Sequence, residues 1–178
     1  MALPKPEDLR SMIEPLAAAH GMDVENVATV PAGKKSQVVV ALDSDERPGL
    51  EELEAVSNEL GALFDAKEDA GELNFGAGYT LEVTTPGVGL PLTRPRHWRR
   101  NRGRRVTIEG EAYRIGALDG AEDNVVLIEV GGKTPRVHVR PVSALAGAVV
   151  EVEFTTPPAA EVELAQLTFD TASEDAAN

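Results

Sequence analysis

Not one of the 178 residues is cysteine, which excludes disulfides, thiolate metal ligands and thiol nucleophiles. Aromatic residues make up only 4% of the chain, too few to build the stacking platform on which single-stranded nucleic acid is commonly read. The three histidines, His20, His97 and His138, are scattered without the spacing of a ligand set, so no metal is expected. No stretch approaches the ~20 apolar residues that span a bilayer, and the start "MALPKPEDLR" lacks the apolar run of a signal peptide. A soluble cytoplasmic protein with no membrane partner is the expectation. No serine lies in a nucleophile-elbow context, and no carboxylate pair stands out. An enzyme is not expected, and neither is a cofactor. Oligomeric state leaves no mark on the sequence, and a monomer is the working assumption.

Basic residues are also scarce, 17 against 30 acids for a net charge of −13, yet they are not spread evenly. Residues 1–93 carry a balance of −11, residues 94–150 one of +5, and residues 151–178 one of −7 with no lysine or arginine. Seven arginines fall in the twelve residues "RPRHWRRNRGRR", at 94–105, around the sole tryptophan. Arg94, Arg96, Arg99, Arg100, Arg102, Arg104 and Arg105 are therefore the candidate phosphate contacts, because a guanidinium forks onto phosphate oxygens and stays charged. The competing reading has the acidic flanks neutralise them in surface ion pairs of little worth. Acidic flanks suit a basic protein partner.

The apolar pattern divides the chain. "PKPEDLRSMIEPLAAAHG" reads as a helix, with Pro6 in its first turn and a stripe of Leu9, Ile13 and Leu16. Pro15 is expected to kink or break it. "VENVATV" and "QVVVALD" read as strands joined through "PAGKK", the first alternating imperfectly. "LEELEAVSNELGALFD" is the clearest helix, with Leu53, Val56, Leu60, Leu63 and Phe64 at helical spacing, and "YTLEVTT" is a third strand. This α-β-β-α-β order predicts an α+β fold, a KH-like or ferredoxin-like sheet with two helices over residues 1–92. Residues 93–102 form a basic junction helix, with Thr93 as cap and Gly103 as stop. Five short strand candidates separated by "EG", "DGAEDN" and "GGK" turns predict a small SH3-like or Sm-like barrel over 103–155. Residues 156–178 are expected to be an acidic, disordered tail.

"EVGGKT" at 129–134 has the ending of a phosphate-binding loop, but Leu127 stands where a glycine is required and a strand follows in place of a helix. It is a turn. His138 alternates with valines in "RVHVR" and is expected opposite the core. Trp98 is expected to pack between the two domains.

"YTLEVTTPGVGLPLTRPRHWRRNRGRRV", Tyr79 to Val106, resembles the central signature of the ribosome maturation factor RimP family. The residues that carry the likeness are Thr85, Pro86, Gly87, Pro91, Leu92 and Gly103, supported by "IEPL" in the first helix, the 50–65 helix, "EAYRIGALDG" and "NVVLIEV". Gly89 and Leu90 replace an acid-arginine pair usual in the family. The resemblance implies a non-catalytic factor that binds the free small (30S) ribosomal subunit late in assembly. Its implied partners are 16S ribosomal RNA and a basic small-subunit protein of the decoding centre. A protein-binding adaptor, or an RNA-binding regulator unrelated to ribosomes, are the alternatives.

Overall fold

Val24 and Val27 are three residues apart, a spacing that puts them on opposite faces of any regular strand. In the computed structural model, which describes residues 3–87, 89–174 and 176, both are buried in one core. Strand β1 (Asp23–Ala32) pairs antiparallel with β2 (Lys35–Asp43), and the register slips between Val24 and Asn26. The extra residue there, Glu25, resets the phase so that Val24 lies across from Leu42 and Val27 across from Val40. The imperfect alternation of this segment is a bulge. Gly33, at φ +67°, opens the two-residue turn between the strands.

The chain divides into two compact units, Met1–Pro86 and Gly87–Asn178. In the first, the order is α1 (Pro6–Ala19), β1, β2, α2 (Leu50–Asp69) and β3 (Tyr79–Thr84). Strand β3 pairs parallel to β2, a geometry that needs a crossover, supplied by α2. Leu9, Ile13 and Ala17 of α1 and Leu53, Val56, Leu60 and Phe64 of α2 share one cluster with Val38, Val40 and Leu42 of β2. Both helices therefore cover the same sheet face. Pro15 neither breaks α1 nor ends it. It sits on the exposed side, where the carbonyl it leaves without a helical partner can turn to water.

In the second unit come α3 (Pro95–Arg100), β4 (Arg105–Ile108), β5 (Glu111–Leu118), β6 (Asn124–Glu129), β7 (Val137–Pro141), β8 (Val149–Val150), α4 (Ala159–Gln166) and α5 (Phe169–Glu174). The strands form one antiparallel sheet in the order β7-β6-β5-β4-β8. The α+β class holds, and the second sheet is a five-stranded meander with β7 and β8 at its ends; the pairing shows no barrel closure. Glu109 and Gly110 join β4 to β5 with both φ values positive, +50° and +84°, as the favoured two-residue hairpin turn requires.

Two expectations give way here. The unit boundary follows Pro86 and not residue 92, because Pro91 bridges to Val149 and Leu92 lies in the second core. The tail expected to be disordered from residue 156 is helical at Ala159–Gln166 and Phe169–Glu174. Ala165 and Ala172 are buried, packing with Leu164, Leu167 and Phe169 on Val126, Ile128 and Val137. Acidic composition suggested a solvated chain, but the small and apolar residues within it form a second cover for the sheet. Asp175, Ala177 and Asn178 lie outside the described residues.

Candidate nucleic-acid interface and its anchors

Helix α3 carries the first half of the arginine stretch. Pro95 occupies the first turn, as its fixed φ and missing N–H allow. The cap position falls on Arg94 and not on Thr93. The Nδ1 atom of His97 accepts from the backbone N–H groups of Thr93 at 3.0 Å and Arg94 at 3.2 Å, tying the helix start down. Gly103, at φ +88°, turns the chain after the helix, and its N–H donates to the Ile115 carbonyl at 2.7 Å.

Trp98 is 1% exposed and belongs to the second unit's own core, with Leu92, Val106, Ile115, Leu127 and Leu145. The interdomain place expected for it is replaced by this one. A six-residue helix has no stability of its own, so the buried indole holds α3 to the sheet and fixes the direction in which its arginines point. Leu92 does the same for the segment before α3, while Thr85, Pro86 and Gly87 lie where the first unit ends.

The seven arginines do not form one uniform patch. Arg94 and Arg99 are exposed, and Arg96 and Arg100 half-buried. Arg99 Nη1 lies 2.5 Å from Glu122 Oε2, both side chains open to water. Arg102 points elsewhere. Its Nε donates to the Ala165 carbonyl and its Nη2 to the Leu167 carbonyl, each at 2.7 Å. Those carbonyls end α4, where orphan acceptors and the negative end of the helix dipole favour a cation. Arg104 is half-buried, and Arg105 Nε lies 2.9 Å from Glu151 Oε2. The stretch thus splits into a forward group on α3 and a rear group turned toward the C-terminal segment.

Behind the rear group lies a cation that charge counting passed over. Arg114, on β5, is 2% exposed, and its guanidinium grips Glu153 through Nη1 at 3.0 Å and Nη2 at 2.7 Å. Its Nε donates to Glu161 at 3.0 Å, and Nη1 also reaches the Gly103 carbonyl at 2.9 Å. Glu161 is itself 1% exposed and accepts from the Gly131 N–H at 3.3 Å. The hydrogen bonds from Glu153 hold the Arg114 pKa above its ordinary value, and those from Arg114 hold Glu153 below its own. Buried charges are tolerated only when paired and hydrogen-bonded in this way. The network fastens α4 to the sheet.

The sequence did carry a signal for it. In "NVVLIEV", Val125, Val126, Leu127 and Ile128 are all buried, and an unbroken apolar run marks a strand covered on both faces. His138 was expected opposite the core. It lies between Val137 and Val139, which join the tail helices' cluster, and meets Glu129 at 3.0 Å and the Tyr113 ring edge-on. "EVGGKT" is the turn expected, with Gly131 at φ +86°. Among the described residues no three His, Asp or Glu side chains converge as a metal site, and no helix is long and apolar enough to cross a membrane.

Comparison with known proteins decides the family. The RimP N-terminal domain family model matches residues 12–89. A protein of Corynebacterium aurimucosum named ribosome maturation factor RimP is 48% identical over 184 aligned residues, covering 99% of this chain and 98% of its own. The chain belongs to the RimP family. Relatives with the same name from Corynebacterium diphtheriae, 48% identical over 97% of this chain and 96% of their own, and Corynebacterium kroppenstedtii, 40% identical over 96% and 98%, extend the match across both units. The C-terminal helices thus fall within the span shared with these family members.

Proposed function

We propose that this RimP family member is a non-catalytic, cytoplasmic ribosome maturation factor that binds the free small (30S) subunit and assists its late assembly. The observation that carries the reading is near-complete alignment, at 48% identity, with a protein named ribosome maturation factor RimP. On this reading 16S ribosomal RNA is met by the forward arginines, Arg94, Arg96, Arg99 and Arg100. The Arg99–Glu122 pair is solvent-exposed, worth little as it stands, and Arg99 exchanges it for a phosphate at small cost. Arg102, Arg104 and Arg105 support the surface, with Arg102 and Arg105 engaged to the C-terminal segment. A basic small-subunit protein is the second partner, drawn by the acidic segments on either side. The KH-like or ferredoxin-like character of the first unit and the SH3-like character of the second belong to the same proposal.

Gradient sedimentation of lysate tests it. The protein should travel with free small subunits, not with assembled ribosomes, and the association should weaken as salt rises. Exchange of Arg94, Arg96 and Arg99 for alanine should weaken it further at unchanged stability. Migration at the top of the gradient at every salt concentration would overturn the proposal.

A further inference from the structure

Seven aromatic residues are few for a chain of this length, and Phe64, Phe75, Trp98 and Tyr113 are all buried in cores. Phe154 is 93% exposed. It is not on a slack loop. The segment from Glu151 onward continues β8, with the Glu151 N–H donating to the Arg105 carbonyl at 2.9 Å. Glu151 pairs with Arg105 and accepts from the Thr107 hydroxyl, and Glu153 takes both Nη atoms of Arg114. Since an extended chain alternates its side chains, fixing the odd positions inward forces Val152 and Phe154 outward. Buried Glu161 anchors the chain again a few residues later.

Leu90 joins them. Pro91 bridges antiparallel to Val149, and the Leu92 N–H donates to the Ala148 carbonyl at 2.8 Å. Continuing that register sets Leu90 across from Val150, on the side from which Val152 and Phe154 follow. Among the described residues five large apolar side chains are exposed, and three of them, Leu90, Val152 and Phe154, fall on this strap. Single exposed apolar residues are ordinary; an aromatic held rigidly beside two others is the composition of an interface anchor.

We propose that Phe154, with Val152 and Leu90, is the docking point for an apolar side chain on an extended basic segment of a protein partner. The charge around it selects that occupant. Glu151 and Glu153 flank the aromatic, and residues 151–178 contain seven acids and no base. Such a surface repels phosphate and favours lysine and arginine. The inference rests on the proposed function, and assigns the basic-protein contact to one surface of the second unit.

The test uses the full-length protein and purified free small subunits. A photo-crosslinking amino acid at position 154 should mark a basic protein of the subunit. Phe154→Ala should weaken subunit binding at least tenfold at an unchanged unfolding midpoint, and Phe154→Lys should weaken it more, because it sets like charge against the basic partner. A crosslink to ribosomal RNA, or stronger binding by Phe154→Lys, would show that the aromatic faces nucleic acid and overturn the proposal. A crosslink to a second copy of the chain, or equal binding by Phe154→Ala, overturns it as well, with the assembly role intact. Absence of subunit binding by the unaltered protein removes both.

Discussion

Strand β2 of the first sheet and strand β6 of the second are both rich in β-branched residues, yet they are stabilised differently. In β2, Val38, Val40 and Leu42 face two helices, while Gln37 and Val39 on the other side are only half-buried. In β6 the run Val125 to Ile128 is buried throughout, Val125 and Leu127 in one core and Val126 and Ile128 in another. The first unit needs one layer of helix over its sheet. The second needs two covers, and the outer one comes from the C-terminal segment. Acidity hid this cover from composition, because its apolar content lies in short helices that gain their stability only by packing.

Removing residues 159–178 breaks the comparison at its strongest point. It exposes Val126, Ile128 and Val137, which are at most 1% exposed, and each fully buried aliphatic side chain contributes about 1.5–3 kcal/mol. The second unit should lose at least about 4 kcal/mol, bind an apolar dye and unfold well before the first in urea. A single transition at the original midpoint would show the helices to be ornaments. Next in size is Glu161→Ala. Breaking a buried pair costs about 3–5 kcal/mol, and with Glu153 still on Arg114 the loss should sit near the lower end, about 3 kcal/mol by urea unfolding. The same network predicts an acid limb. Glu153 is held below its ordinary pKa by Arg114, so its contribution is complete above the ordinary carboxylate range. It drains away as pH falls below that range and through the lowered value. Arg114→Met should remove that part of the acid dependence. Smaller again is Gly116→Ala. A Cβ there would stand 2.8 Å from Val126 Cγ1, and overpacking of this kind costs about 1–3 kcal/mol.

How far these features could be read from the sequence follows the range of the interactions. Helix α2 and the Glu109-Gly110 turn are local, set by spacing and turn chemistry, and they lie where the pattern put them. The five strand candidates of the second unit became β4 to β8 for the same reason. The bulge at Glu25 showed only as a flaw in alternation. Arg114 looked like one more strand residue, since its partners Glu153 and Glu161 are 39 and 47 residues away. Trp98 was recognised as a packing residue but given the wrong neighbours, because a lone aromatic next to a boundary does not say which core it enters. The arginines were legible as a cluster and illegible as two groups. Their division depends on where α4 ends, and that end is 63 residues from Arg102.

The division itself is the finest comparison to test. Arg102 and Arg99 are three residues apart and both count as surface arginines, but their partners differ in kind. Arg102 donates to two carbonyls at a helix end, at 2.7 Å each, and hydrogen bonds from charged groups contribute about 1.5–3 kcal/mol. Arg99 shares one exposed carboxylate with solvent, worth about 0.2–1 kcal/mol. Arg102→Ala should therefore lower the stability of the second unit by about 1.5 kcal/mol and loosen amide protection in α4. Arg99→Ala should change stability by less than about 0.5 kcal/mol while reducing the salt dependence of subunit binding. The ion pair of Arg99 breaks in water at little cost, so a phosphate can replace its partner. Arg102 would have to release a helix end first. Equal effects of the two substitutions on both readouts would return the seven arginines to a single patch.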